Sequence, residues 1–211
     1  MNVSPKDMEA LAHARQCVQL MEQVLPHEVR DTAPTCIVGA LLTVALQHCD
    51  SILLLTQTGK NKASAEALMR PAIESALRLA WVTEKDERAK EVTAKTARFP
   101  KFSKLFEGFV RNSGKKALSN SVETLHDLTH AGMGQLIQYF SGEKKQNPME
   151  EIAVLRGSAF LVVILAFIAC VGFCRFTDRL DEAARIGQLF SDYSLSAGRD
   201  ALHEITNVMN K

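Results

Sequence analysis

The sequence is short of several features that would narrow its function at once. Its 211 residues include one Trp and two Tyr, and the formal net charge is only +1. A charge this near to zero provides no global field that would draw the protein to nucleic acid or to a membrane. The five cysteines lie in apolar stretches without a Cys-x-x-Cys pair, and their number is odd. Reduced, buried thiols and a reducing compartment are therefore expected.

The sequence also has little of the alternating pattern that predicts β-strands. No run of Val, Ile and Thr alternates with polar residues, whereas apolar residues recur at helical spacing along most of the sequence. The polar N-terminal segment MNVSPKDMEA does not resemble a signal peptide. We therefore expect an all-α cytoplasmic protein in which residues 1–211 form a single helical-bundle domain with a long buried apolar helix.

That apolar helix is predicted from residues 157–174, which carry no charge and are flanked by Arg156 and Arg175. Eighteen such residues just reach the length of a membrane span. The segment lacks flanking Trp and Tyr, and residues 35–49 provide a second uncharged helix to pack beside it. A buried central helix is the favoured interpretation, with no membrane partner.

Helix boundaries follow from capping residues. Ser4-Pro5 predicts the start of the first helix, and Asp31 or Thr32 the start of a second that ends near residue 58. A third helix, residues 64–83, contains Pro71 and should kink there. Further helices are predicted at 84–98, 102–113, 119–140 and 149–176, with two short ones at 178–190 and 196–209.

Two helical stretches carry polar side chains among apolar neighbours. Arg70 and Glu74 are four residues apart and share a helical face, and so do His126 and His130. The first pair is either a structural ion pair or part of a site that binds an anion. The second pair is either a pair of hydrogen-bonded interior histidines or a catalytic base beside Arg70. We predict that Arg70, Glu74 and His130 meet in space, with Asp50 or His126 as a fourth member, and we expect no cofactor.

A metal site is the remaining alternative for the histidines. The stretch His126-Asp127-Leu128-Thr129-His130 is close to the zinc-protease spacing, and its His-Asp doublet resembles the metal-dependent HD phosphohydrolases. Those enzymes need two further ligands, for which His48 and Asp178 are the nominees.

The one strongly basic segment is residues 95–116, with seven Lys or Arg and one Glu. Its phenylalanines, Phe102, Phe106 and Phe109, recur at helical spacing, which indicates a core face with a solvated basic back. The same lysines could follow a phosphate backbone. The nucleic-acid-binding residues predicted here are Lys101, Lys104, Arg111 and Lys115.

The stretches LMRPAIESALRLAWV and LHDLTHAGMGQLIQYF together resemble a group of helical bacterial proteins of unknown function. That resemblance covers about residues 35–175 and assigns the polar positions of the group to Arg70, Glu74 and His130. The group is similar in layout to the HEPN superfamily, whose active members are dimeric, metal-independent ribonucleases of bacterial conflict systems. The resemblance implies a homodimer that cleaves RNA with an Arg/His site. The alternative is a non-catalytic interaction or immunity protein that binds a cognate protein.

Overall fold

Seven helices make up the parts of the chain that the structure, a computed structural model, describes. Its backbone covers residues 4–26, 28–29, 31–58, 62–113 and 148–209, and side chains are described except at 62, 109–113, 148–155 and 198–209. Those ranges contain no strand, so the all-α prediction is confirmed there. The helices are α1 (Pro5–Val24), α2 (Ala33–Thr58), α3 (Lys62–Thr83), α4 (Asp86–Thr93), α5 (Phe102–Ser113), α6 (Pro148–Phe176) and α7 (Leu180–Met209).

The first two helices begin at the residues that the sequence indicates. Ser4 caps α1 by accepting a hydrogen bond from the Asp7 amide at 3.2 Å, and Pro5 follows at the first helical position. Thr32 and Thr35 cap α2 reciprocally, because the amide of each donates to the hydroxyl of the other. Each cap satisfies amides that have no partner inside the helix.

The central helix is α6, which contacts α1, α2, α3 and α7. No side chain between Ser158 and Cys174 is exposed, and Val162, Val163 and Leu165 are fully buried. The predicted long buried helix is therefore present. Two segments, Ala33–Thr58 and Arg156–Phe176, are long and apolar enough to cross a membrane, although core helices of soluble bundles meet the same test.

The charged stretch after α3 is interrupted, contrary to the predicted continuous helix over 84–98. The chain bends at Glu84 and Lys85, and α4 ends after two turns. At that end the Thr96 amide donates to the Glu91 carbonyl and the Lys95 amide to the Val92 carbonyl, with Lys95 at φ 60°. This is a Schellman cap with lysine where glycine is usual.

The C-terminal part also differs from its prediction. Residues 180–209 form one helix, whereas two short helices were expected. Ser191 and Ser194 lie in the gap between the two predicted helices. Tyr193 between those serines is buried, with its ring stacked on Phe160 of α6 at 6.1 Å and in contact with His13 of α1 at 5.1 Å. These tertiary contacts hold the helix where local propensity is weak.

Candidate functional site

The predicted arginine and glutamate lie in a single row along α3. Arg70, Glu74, Arg78 and Trp81 follow one another at spacings of four, four and three residues, which place them on one helical face. The helix continues through Pro71, and the Ser75 hydroxyl donates to the Pro71 carbonyl at 2.7 Å. All four side chains of the row are partly buried, so they form a lining under another element rather than a free surface.

That other element is α5 together with the segment before it. The guanidinium carbon of Arg70 lies 5.4 Å from the centre of the Phe102 ring, and that of Arg78 lies 5.2 Å from Phe99. Phe99 in turn meets the edge of Trp81 at 5.9 Å. Cations and rings therefore alternate along the junction of α3 and α5, and each contact of this kind contributes about 0.5–1 kcal/mol at a partly exposed site.

The two carboxylates of the predicted cluster, Glu74 and Asp50, pair with two different arginines. Glu74 forms an ion pair with Arg78 one turn further along α3. Asp50, proposed as a further member of the cluster, accepts two hydrogen bonds from Arg15 of α1, at 2.7 and 3.1 Å. The bidentate pair joins α1 to α2.

The two predicted histidines, His126 and His130, lie outside the residues that the structure describes. The meeting of Arg70 with His130 therefore stays a prediction. His48 and Asp178, the nominated additional metal ligands, are described, and they lie at separate places. Asp178 and Thr35 both line a cleft at the end of the bundle where α2 begins. His48 lies 13 residues after Thr35 on α2, which is roughly 20 Å away along the helix axis. One metal ion cannot bind both, so this pairing was wrong.

In the described part of the chain, no three His, Cys, Asp or Glu side chains are placed to hold a metal ion. Burial raises the pKa of Cys17 and Cys174 to about 11 and that of Cys49 to about 12. The Cys49 thiol lies 3.6 Å from the Val162 carbonyl, to which it donates. These thiols are protonated core groups, as the sequence predicted, and not thiolate ligands.

The basic segment presents its charges to solvent. Lys95, Arg98, Lys101 and Lys104 follow one another every three residues, and all four are exposed. None of the four forms an ion pair with a residue that the structure describes. The opposite side of the segment is buried through Leu105 and Phe106. We call these four cations the basic stripe. Arg111 and Lys115 belong to the part whose side chains are not described.

The basic stripe and the α3 row meet at one ring. Phe102 is half-buried between Lys101, its exposed neighbour in sequence, and Arg70, which contacts the ring from α3. Arg70 therefore contacts the residue that follows Lys101, although Arg70 and Lys101 are 31 residues apart along the chain. This adjacency could not be read from the sequence, because neither the row on α3 nor the helix over 102–113 indicates that the two pack together.

A cleft of about 550 Å³ lies elsewhere, at the end of the bundle where α2 and α4 begin and α6 ends. Its charged lining residues are all exposed: Asp86, Lys90, Asp178 and Arg179. No residue of α3 or α5 lines it, so it is separate from the junction around Arg70.

No protein-family model, curated protein or solved structure matches this chain.

Proposed function

We propose that the protein binds single-stranded RNA along the basic stripe, with Arg70 contacting the phosphate that passes Phe102. The observation that carries this proposal is the adjacency of Arg70 and the stripe at one aromatic ring. Four exposed cations at regular spacing suit a phosphate backbone, since backbone contacts come mostly from Lys and Arg. The half-buried Phe102 is an aromatic side chain of the kind on which a base can stack.

Cleavage is the second step of the same proposal. His130 takes the proton of a ribose 2′-hydroxyl, whose oxygen attacks the adjacent phosphorus while Arg70 stabilises the added negative charge. The bond from phosphorus to the 5′-oxygen breaks, and His126 supplies the proton that the leaving oxygen needs. The products are a 2′,3′-cyclic phosphate and a 5′-hydroxyl, and no metal ion takes part. The resemblance to conflict-system ribonucleases and the position of Arg70 support this step.

Binding is tested by fluorescence anisotropy with a labelled single-stranded RNA over a range of salt concentrations. In the variant Lys101→Gln/Lys104→Gln we expect weaker binding. The slope of log K against log salt concentration should be smaller in magnitude by about 1.4, because each phosphate contact on a single strand contributes roughly 0.7. The matched control is Lys6→Gln/Arg185→Gln, which removes the same charge from exposed positions outside the stripe. Equal losses in both variants would mean that only total charge matters.

Cleavage is tested on the same RNA with chelator present and on a DNA strand of the same sequence. We expect His130→Ala to bind normally and to cut at least about 10²-fold more slowly, the usual contribution of a general base. DNA lacks the attacking hydroxyl, so it should be bound and left intact. Binding without cleavage by the unaltered protein would leave the RNA-binding role and remove the catalytic one.

A role as an interaction or immunity protein is the second candidate. It is favoured by the uncharged outer surface of α2, where Ala40, Thr43, Val44 and Gln47 are exposed. A surface of this kind suits a protein neighbour better than water. If the protein neither binds nor cuts RNA, this second function replaces the first.

A further inference from the structure

The outer surfaces of α1 and α2 carry two matching rows of exposed or half-exposed side chains. On α1 the row is Met8, Ala12, Arg15, Gln19 and Glu22, and on α2 it is Cys36, Ala40, Thr43, Gln47, Asp50 and Leu54. Both rows alternate spacings of four and three residues, which is the spacing of positions that face a partner helix in a coiled coil. We call them the α1 seam and the α2 seam.

The composition of the helix that carries the α2 seam is unusual for a surface that faces only water. Residues 33–49 contain no Asp, Glu, Lys or Arg, although such residues make up 23% of the chain. Small side chains at Ala12, Ala40 and Thr43 would let another backbone approach closely. The seams therefore have the spacing and the side-chain sizes of a helix-packing surface.

The only ion pair within the seams joins one seam to the other. Arg15 and Asp50 form their bidentate pair while about a third of each side chain is still exposed, at 30% and 39%. The pair also fixes the register, because α1 and α2 are antiparallel neighbours and residue 15 is level with residue 50. At this register three further pairs of residues lie at nearly the same height along the two helices: Gln19 with Gln47, Glu22 with Thr43, and Ala12 with Leu54.

We propose that a second copy of this chain packs on the seams, with a twofold axis along the groove between α1 and α2. A twofold rotation about that axis leaves the position of each residue along the helix direction unchanged, and it places α1 of one copy opposite α2 of the other. The α1 seam of each copy therefore faces the α2 seam of the other. Two-fold interfaces require this self-complementarity. The result is an antiparallel four-helix arrangement of α1, α2 and their symmetry copies.

Charge complementarity selects this occupant over a lipid surface or an unrelated protein. In the proposed register Arg15 meets Asp50 of the second copy, and Asp50 meets its Arg15, so four charges alternate in sign around the axis. Large side chains then lie over small ones, with Leu54 over Ala12, and the amides of Gln19 and Gln47 meet. A lipid surface would leave the exposed part of the Arg15–Asp50 pair and the amides of Gln19 and Gln47 without polar contacts.

The first test is the mass of the 211-residue protein by sedimentation velocity between about 1 and 100 μM, which detects dimers with dissociation constants up to about 100 μM. We expect a dimer, and we expect Arg15→Glu to raise its Kd about 100-fold or more, since like charges then meet. Arg15→Glu/Asp50→Arg restores the alternation and should restore the dimer. The control Leu195→Glu alters an exposed leucine of α7, outside both seams, and should leave the dimer intact.

The register is tested by cross-linking with two single variants that also carry Cys36→Ser, which removes the exposed thiol. A short bis-maleimide should link Gln19→Cys to Gln47→Cys when the two proteins are mixed, and should link neither protein to itself. Each chain has one accessible thiol, so every link joins two chains. A monomer throughout the concentration range overturns the proposal. A dimer with no cross-link on mixing, or flotation with liposomes that Thr43→Glu abolishes, overturns it as well.

Discussion

Asp7, in the first turn of α1, accepts hydrogen bonds from Arg156 of α6, whose Nε lies 2.9 Å and Nη2 2.8 Å from the same carboxylate oxygen. Only 4% of the Asp7 side chain is exposed, and the second carboxylate oxygen accepts from the Ser4 hydroxyl. The first turn of α1 is thereby attached to the central helix by a carboxylate that is almost entirely buried. A buried pair of this kind depends strongly on both partners.

We expect Asp7→Ala to lower the free energy of unfolding by about 3 kcal/mol, because the variant lacks the buried carboxylate to which Arg156 donates. Glu84→Ala is the matched control. Glu84 pairs with Arg88 on the surface with 62% of its side chain exposed, and its loss should cost less than about 1 kcal/mol. Urea denaturation measures both. Similar losses in the two variants would show that burial does not distinguish the pairs.

The stacking of Arg70 on Phe102 should be measurable as a coupling energy. We expect Arg70→Met and Phe102→Leu to be non-additive by about 0.5–1 kcal/mol in a double-mutant cycle, because both keep apolar bulk while removing the charge or the ring. Arg70→Met combined with Phe106→Leu should be closer to additive, since Phe106 contacts the Phe102 ring and is not the ring beneath Arg70. Equal coupling in both cycles would contradict the assignment.

Gly172 of α6 packs closely against α3. A Cβ there would lie 2.6 Å from Leu79 Cδ2 and 3.2 Å from Thr83 Oγ1, whereas a Cβ at Gly157 would meet nothing within 4 Å. Gly172→Ala should therefore destabilise the protein by about 1–3 kcal/mol. Gly157→Ala should stabilise it by up to about 1 kcal/mol through helix propensity. The two melting temperatures should shift in opposite directions, and a Gly172→Ala protein as stable as the parent would be incompatible with this packing.

The buried thiols should make the protein sensitive to high pH. Each thiol ionises near 9 when unfolded, whereas burial raises the pKa to about 11 for Cys17 and about 12 for Cys49. The stability that depends on these protonated thiols is complete below pH 9 and decreases as the pH rises towards the folded values. In urea titrations above pH 9, the free energy of unfolding of Cys49→Ala should fall less steeply with pH. The difference in slope should correspond to about one proton fewer released on unfolding. An unchanged slope would mean that Cys49 ionises equally in both states.

Reactivity at neutral pH provides an independent check of the same burial. Ellman's reagent should modify Cys36 of the native protein first, because Cys36 is exposed, whereas Cys17, Cys49, Cys170 and Cys174 are buried. The hydrogen bond to Asp31 raises the pKa of Cys36, so even this thiol should react more slowly than a free one. Rapid reaction of two or more thiols without denaturant would contradict the packing around α6.

The fold class and the central helix could be predicted because both follow from local patterns. Spacing of apolar residues gives helices, and the uncharged stretch 157–174 has to be buried in a bundle. The caps at Ser4 and Thr32 are equally local. The continuity of α7 at Tyr193 was not predictable, since it depends on rings from α1 and α6 that are 180 and 33 residues away in sequence.

The candidate site was predictable only in part, for the same reason. Spacing indicated that Arg70 and Glu74 share a face and that the basic segment has an apolar back. Which partners they take is a matter of packing between helices. Asp50 pairs with Arg15 and Glu74 with Arg78, and Arg70 contacts Phe102, the residue after Lys101. Helical periodicity carries no information on those choices.

The position of α6 along the chain has a consequence for synthesis. The helix that α1, α2, α3 and α7 all contact is completed only at Phe176, long after α3 has ended at Thr83. Translation adds about 5–20 residues per second, so the apolar faces of α1, α2 and α3 stay uncovered for roughly 5–20 s before α6 has been synthesised. During that interval the nascent chain offers the kind of surface that chaperones bind. Ribosome-bound chains that stop before α6 should therefore be the most dependent on chaperones and the most prone to aggregate.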